Sequence, residues 1–395
     1  MIDEKRIRNN LDDFSFPRLS GTKEETESYN IAKKKIESLK LQPSVQEFSF
    51  STFYSRIYPK ITLTLTFWLL TILFLNLSWI LTLISVIITL LIIIPLIIIT
   101  RKPEKVRIGK KFLSRNLFVK LESKSHQNKN EGVIKNEVRN VFFLSHLDSK
   151  GQKFSIKARV LIVKFWIFSF IGMTLLLIIR IIISTQIIIW LIFIGLFLLG
   201  INFTTTLLTL INTTNNKSMG AIDDASGIAT VLELLNYYAD FENKLINFNF
   251  WFVFTGAEES GTMGIRNFYK ILKTFERNKI IIFNFDSIAR SISPFCRHSN
   301  PEKYKKFYNA FIKEANKFNL RLNTYRFNVG IHSDGIFTIG KKKLLGVGFG
   351  DLTSYKYVHS IEDTIEKVNP NVLKELCLLI TNFLKEIDSQ ISSRI

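Results

Sequence analysis

The sequence predicts an α/β domain, a sheet covered by helices on both faces, interrupted by four membrane-spanning helices arranged as two hairpins. Three observations predict it. There are two long apolar runs; short hydrophobic strands alternate with helical patterns in the polar remainder; and acids and histidines fall just after those strands.

Residues 61–100 contain no charged side chain and are dominated by Ile, Leu, Thr and Phe. A helix of roughly 20 residues crosses the ~30 Å hydrocarbon core, so this run holds two spans joined by a tight turn near Asn76 to Ser78. A second apolar region, Val160 to Ile211, is broken by Lys164 near one end and by Arg180, Ser184, Thr185 and Gln186 in the middle. It reads as another hairpin, with Lys164 snorkelling toward the headgroups. The hairpins occupy 61–100 and 158–216, and the polar remainder (1–60, 101–157 and 217–395) forms one discontinuous domain. Apart from Lys164 and Arg180 the spans hold no ionisable residue, so a transporter or channel lacks its usual markers.

The segment from Arg101 to Lys157 carries fifteen Lys and Arg against five acids. By the positive-inside rule it faces the cytoplasm, together with both termini and the polar domain. The whole chain has 53 Lys and Arg against 33 Asp and Glu, a formal charge of +20. No aromatic-interleaved basic motif accompanies that excess, so the expected partner is the lipid bilayer and not nucleic acid. Cys296 and Cys377 are the two cysteines. They lie far apart and outside any Cys-x-x-Cys spacing, which excludes a disulfide framework. The first ten residues alternate acidic and basic side chains and do not read as a signal peptide.

Within the polar domain, Thr22 or Ser20 can cap a helix running to about Lys40, with Tyr29, Ala32, Ile36 and Leu39 on one face. Strands follow at Val45 to Phe50, Asn140 to Ser145, Phe248 to Thr255, Ile280 to Phe285 and Leu344 to Phe349. Ser226 to Tyr238 is helical, with Ile228, Val231, Leu232 and Leu235 as its buried stripe.

Ligand sites in open α/β sheets form beyond the carboxyl ends of strands. His146 and Asp148 follow the 140–145 strand, Asp223 and Asp224 precede the Ser226 helix, and Glu258 and Glu259 follow the 248–255 strand. Asp286 ends the 280–285 strand, and His359 lies in the loop after the last one. One sheet edge then gathers two imidazoles and several carboxylates, a donor set suited to zinc, with manganese or cobalt as substitutes. His126 and His298 read as surface residues, whereas His332 is a candidate for a pocket role.

The series SHLDS (145–149), GAIDDASG (220–227), FTGAEESGTMGIRNF (254–268), NFDS (284–287) and VHSIEDT (358–364), with PRLSGTKEE (17–25) ahead of the first helix, resembles metallopeptidase clan MH, family 28. These are co-catalytic zinc exopeptidases, relatives of bacterial leucyl aminopeptidase, glutamate carboxypeptidase and glutaminyl cyclase. The resemblance implies a central mixed β-sheet flanked by helices and two zinc ions bridged by Asp223. His146 and Asp286 would complete one metal, and Glu259 and His359 the other. Glu258 would be the general base, and Asp148 would hold the ring of His146.

Three positions depart from the family pattern. Asp224 replaces a common Asn and adds negative charge beside the metals, Gly335 replaces the His of a Ser-Asp-His stretch, and Val358 stands where a Tyr often precedes the last ligand. The larger departure is the hairpins: one follows the first strand, and the other separates His146 from Asp223. The function implied is a membrane-anchored, zinc-dependent exopeptidase, most readily an aminopeptidase acting on peptides. A glutaminyl-cyclase-like acyltransferase and a non-enzymatic receptor or scaffold on the same fold are the alternatives.

Overall fold

The computed structural model describes residues 1–76, 78–127, 138–182, 188–296, 304–324 and 332–393. His298, the side chain of His126 and the Ser184 to Gln186 turn lie outside the described residues. In chain order the helices of two turns or more are α1 (Glu4–Phe14), α2 (Lys23–Ser38), α3 (Tyr58–Leu75), α4 (Trp79–Thr100), α5 (Ile156–Ile182), α6 (Ile188–Ile211), α7 (Ser226–Ala239), α8 (Met263–Leu272), α9 (Lys305–Lys317) and α10 (Pro370–Ser392). The strands of the main sheet are β1 (Ser44–Ser51), β2 (Lys111–Leu121), β3 (Arg139–His146), β4 (Phe248–Thr255), β5 (Ile280–Phe285), β6 (Ser293–Cys296), β7 (Asn323–Thr324) and β8 (Leu345–Gly350). The chain divides into two compact units, 1–50 with 112–151 and 215–395, and 51–111 with 152–214.

The first unit is built on an eight-stranded mixed sheet in the order β1-β2-β4-β3-β5-β8-β6-β7. Strand β3 runs parallel to both β4 and β5, and β8 runs parallel to β5. The carboxyl ends of these four strands therefore share one edge, the arrangement that creates a ligand crevice. Strand β2 is antiparallel to β4, and β6 is antiparallel to β8, which makes the sheet mixed. Central strands buried on both faces read as continuous apolar runs, and β5 is buried at every position. Phe143 in β3 stacks against Phe250, Phe283 and Tyr238, so aromatic rings fill one face of the core.

Helix α2 starts where Thr22 accepts the N–H of Glu25. Helix α7 carries the expected stripe, yet its remaining faces are buried as well. Helix α1, which the sequence did not reveal, covers it. Arg6 donates through Nε and Nη2 to the two carboxylate oxygens of Glu233, each at 2.7 Å. Cys296 and Cys377 are buried free thiols.

Among the described residues the second unit contains four helices long and apolar enough to cross a membrane. Asn76 ends α3 in the left-handed conformation, which an Asn tolerates, and the chain turns there into α4. Leu70 and Phe74 of α3 pack with Met173 and Leu176 of α5 and Leu198 of α6. Within this unit buried Asn202 donates to Ser169 Oγ at 3.0 Å, and half-buried Arg180 donates to the carbonyl of Phe74.

Candidate active site

Strand register brings the site residues to one level. His146 pairs with Thr255 at the end of β4, and Phe285 of β5, directly before Asp286, pairs with Phe349 of β8. Glu258 and Glu259 enter on the loop after β4, and His359 on the loop after β8. Three of these loops use left-handed backbone at a non-glycine residue, Ala257, Ser287 and His359 itself. Such conformations cost about 1–3 kcal/mol each and persist where surrounding contacts hold them. Gly220 is also left-handed, and a Cβ there would lie 2.4 Å from Cβ of Ser149, so the turn into Asp223 requires glycine. The Asp223–Asp224 peptide is cis.

All seven residues expected from the sequence converge, with two groups of donors in which ligand atoms lie within 4.8 Å of one another. One contains His146, Asp224 and Asp286, and the other Asp223, Glu259 and His359. Asp223 faces both: Oδ1 lies 3.0 Å from Nε2 of His146, and Oδ2 lies 3.1 Å from Nε2 of His359. The oxygens of Asp224 are engaged elsewhere, Oδ2 with the N–H of His146 at 3.1 Å and Oδ1 with the N–H groups of Gly227 and Ser287 at 3.1 and 3.3 Å. Of the neighbouring pair, Asp223 is thus the one with both oxygens turned into the donor set.

The ring nitrogens and carboxylates present a donor pattern that fits a cation. Nδ1 of His146 lies 2.9 Å from the carbonyl of Asp148, a distance at which Nδ1–H donates. In the neutral ring Nε2 is then a lone-pair acceptor pointed at a carboxylate oxygen, an arrangement that calls for a proton or a metal between them. Oε1 of Glu259 lies 2.9 Å from Nε2 of His359, while Oε1 of Glu258 and Oε1 of Glu259 are buried with no aligned hydrogen bond among the described residues. A buried carboxylate oxygen of Glu259 facing an imidazole, beside the buried Glu258 carboxyl, matches a divalent-cation site in donor chemistry.

Charge in the site is strongly biased. Burial lifts the Glu258 carboxyl well above the usual carboxylate range; His146 opposes that, and Glu259, Asp334 and Asp286 reinforce it. Asp286 is raised to about 6 by burial and by the charge of Asp223. Burial also disfavours ionised Glu259, but His359 and Lys150 outweigh it and hold this carboxylate at about 2. Asp223 is likewise opposed by burial and held well below its ordinary value by hydrogen bonds from His146 and His359.

Several supporting residues were not assigned from sequence. The ring nitrogen of His146 meets Asp148 through its backbone oxygen, with carboxylate Oδ1 at 3.5 Å. That carboxylate instead receives the N–H groups of Glu258 and Glu259, at 2.9 and 3.0 Å, and the hydroxyl of Ser20. Glu25 accepts the N–H of Ala257 at 3.0 Å and steadies the same loop. Arg18 is fully buried and donates to the carbonyls of Leu147, Phe14, Phe16, Met219 and Gly220. It ties the His146 segment to the Asp223 segment. Asp363 accepts the N–H of Ile222 at 2.6 Å, and buried Asp334 accepts the hydroxyl of Thr255. Ser20, Glu25 and Arg18 all lie in the 17–25 segment, so their position, though not their roles, was signalled. His332 is exposed at its surface.

Residues 205–384 match the family model described as peptidase family M28. The fold is that of zinc aminopeptidases of known structure. An aminopeptidase from Aneurinibacillus sp. strain AM-1 has a TM-score of 0.56 at 13% identity, covering 97% of this chain and 93% of that one. A zinc aminopeptidase from Bacillus subtilis has a TM-score of 0.54 at 13% identity, covering 98% and 96%. A glutaminyl cyclase from an Acidobacteriales bacterium has a TM-score of 0.53 at 12% identity, covering 98% and 96%. At such identities the likeness is one of fold. No curated protein matches the sequence significantly. The M28 match begins inside α6 and runs into α10, and it contains Asp223, Glu258, Glu259, Asp286 and His359. His146 and Asp148 lie upstream of it.

Proposed function

We propose that this protein is a membrane-anchored, zinc-dependent exopeptidase of the aminopeptidase type that hydrolyses the terminal peptide bond of peptides. The observation that carries the reading is the Asp223 carboxylate, whose two oxygens address His146 and His359 at 3.0 and 3.1 Å. In this reading His146, Asp223 and Asp286 would hold one zinc ion, and Asp223, Glu259 and His359 would hold the other. When bound, such a pair supplies Lewis acidity and an activated water.

The chain's own residues do the rest. Glu258 takes a proton from the attacking water as its oxygen bonds to the scissile carbonyl carbon. The same carboxyl delivers that proton to the amine nitrogen as the C–N bond breaks. Asp148 sets the position of Glu258 and Glu259 through their backbone N–H groups and orients the His146 ring through its carbonyl.

The test is amino-acid release from a panel of aminoacyl and dipeptide substrates by the detergent-solubilised protein, with zinc counted in parallel. Turnover is expected with about two zinc ions bound, and Glu258→Gln should lower it at least 10²-fold while keeping the metal. Likeness to glutaminyl cyclases supports a second reading, intramolecular cyclisation of an amino-terminal glutamine. Release of ammonia and pyroglutamyl product without amino-acid release would select it. Bound metal with neither product would favour a receptor or scaffold. The basic 101–157 flank supports a cytoplasmic catalytic domain. Digestion of that domain from the outer face of oriented vesicles would reject this placement.

A further inference from the structure

One half of the donor set carries a paired ammonium. Lys150 follows directly on SHLDS, and its Nζ lies 2.6 Å from Oε2 of Glu259 and 3.5 Å from the carbonyl of the same residue. Both side chains are largely shielded from solvent, at 14% and 4% exposure. The lysine is not a loose surface residue that happens to reach inward. Ser149, one position earlier, bridges to Leu19 as in a parallel sheet, donates its N–H to the carbonyl of Arg18 at 3.0 Å, and accepts the N–H of Arg18 at its hydroxyl, also at 3.0 Å. The backbone that presents Lys150 is therefore held on both sides of the chain crossing.

No ammonium or guanidinium forms an ion pair with Asp223 or Asp286 among the described residues, and Asp286 receives only the neutral hydroxyl of Ser287, at 3.0 Å. The carboxylates of the His146–Asp223–Asp286 half are thus not paired with a cationic side chain among the described residues. The other has a fixed positive charge already gripping one oxygen of Glu259, which leaves Oε1 facing His359 at 2.9 Å. A like charge a few ångströms away in a poorly solvated pocket repels a divalent ion, and a carboxylate restricted to one oxygen binds it less tightly.

We propose that Lys150 is a positioning residue that holds Glu259 to one-oxygen ligation and makes the Asp223–Glu259–His359 half of the site the weaker of the two for zinc, so that it fills second. The inference rests on the two-metal reading above. It means that between the two dissociation constants the protein carries a single ion, in the half built from His146, Asp223 and Asp286.

The test is zinc titration of the full-length, chelator-stripped protein in detergent against a chromophoric competitor, which reads affinity and not turnover. Wild type should show two dissociation constants, and His359→Ala should abolish the weaker. Lys150→Met should tighten the weaker site about tenfold or more and leave the tighter one in place, which also reports that the variant is folded. Lys150→Arg, which keeps the charge, should preserve the gap. Equal affinities in wild type, an unchanged pair of constants in Lys150→Met, or a weaker second site in that variant would each overturn the proposal. Wild-type protein that binds no zinc at all would overturn the two-metal reading itself, a result distinct from two ions bound with Lys150 silent.

Discussion

The backbone N–H of Glu258 donates to Oδ1 of Asp148 at 2.9 Å. A side chain at the end of one strand thereby sets the height of the loop that follows the neighbouring strand, and with it the carboxylate proposed as general base.

Asp148→Asn tests this relationship. An amide keeps the size of the carboxylate but places an NH₂ where one of three donors, the N–H groups of Glu258 and Glu259 or the Ser20 hydroxyl, now points. Turnover should fall about 10- to 100-fold, the range typical for residues supporting a metal ligand set. Steady-state kinetics with zinc content measured on the same sample check it, and an unchanged kcat would remove Asp148 from a positioning role.

Asp351 predicts a pH dependence of stability. Its carboxylate accepts from Arg290, Ser291, Thr353 and Ser354, and these donors outweigh burial and hold it well below its ordinary value. A depressed folded-state pKa contributes stability that is complete above the unfolded value of about 3.9 and is lost as pH falls through the folded value. Asp351→Asn should therefore melt below wild type at pH 7, and the gap should narrow below about pH 4. Thermal denaturation in detergent from pH 7 to 3 measures it; a gap independent of pH would contradict the assignment.

Gly195 is packed against Phe74 so closely that an added Cβ would lie 2.1 Å from the ring. Gly195→Ala should destabilise the helical unit by about 1–3 kcal/mol, the range for overpacking. In the double variant with Phe74→Ala the two effects should be less than additive. Additive losses, read by denaturation in mixed micelles, would dissociate the two positions.

Legibility in the sequence followed local pattern. The turn at Asn76 could be read because it is a polar break in a run without charge, and its αL conformation is one that Asn accepts. Strand β4 and helix α7 could be read because Phe-rich alternation and an apolar stripe each carry their own period. Strand β2 could not. Its Lys, Ser, Arg and Asn residues resemble a charged flank until the sheet places β4 beside it. Helix α1 was hidden for a related reason: its mixed charges read as solvated, and its partner Glu233 lies far along the chain.

By itself, the sequence determined which residue types would stand after which strands, because that is a matter of local order along the chain. His146, Glu258, Glu259, Asp286 and His359 were visible on those grounds. Only the tertiary structure decided how they face one another. That Asp223 and not Asp224 turns both oxygens toward the histidines depends on backbone donors from Gly227, Ser287 and His146, which occupy the second carboxylate. That Lys150 grips Glu259 depends on two loops more than a hundred residues apart in sequence meeting at the sheet edge. Hydrogen-bond and charge partnerships are contacts across space, and neither periodicity nor spacing along the chain encodes them until the parallel strands bring their ends together.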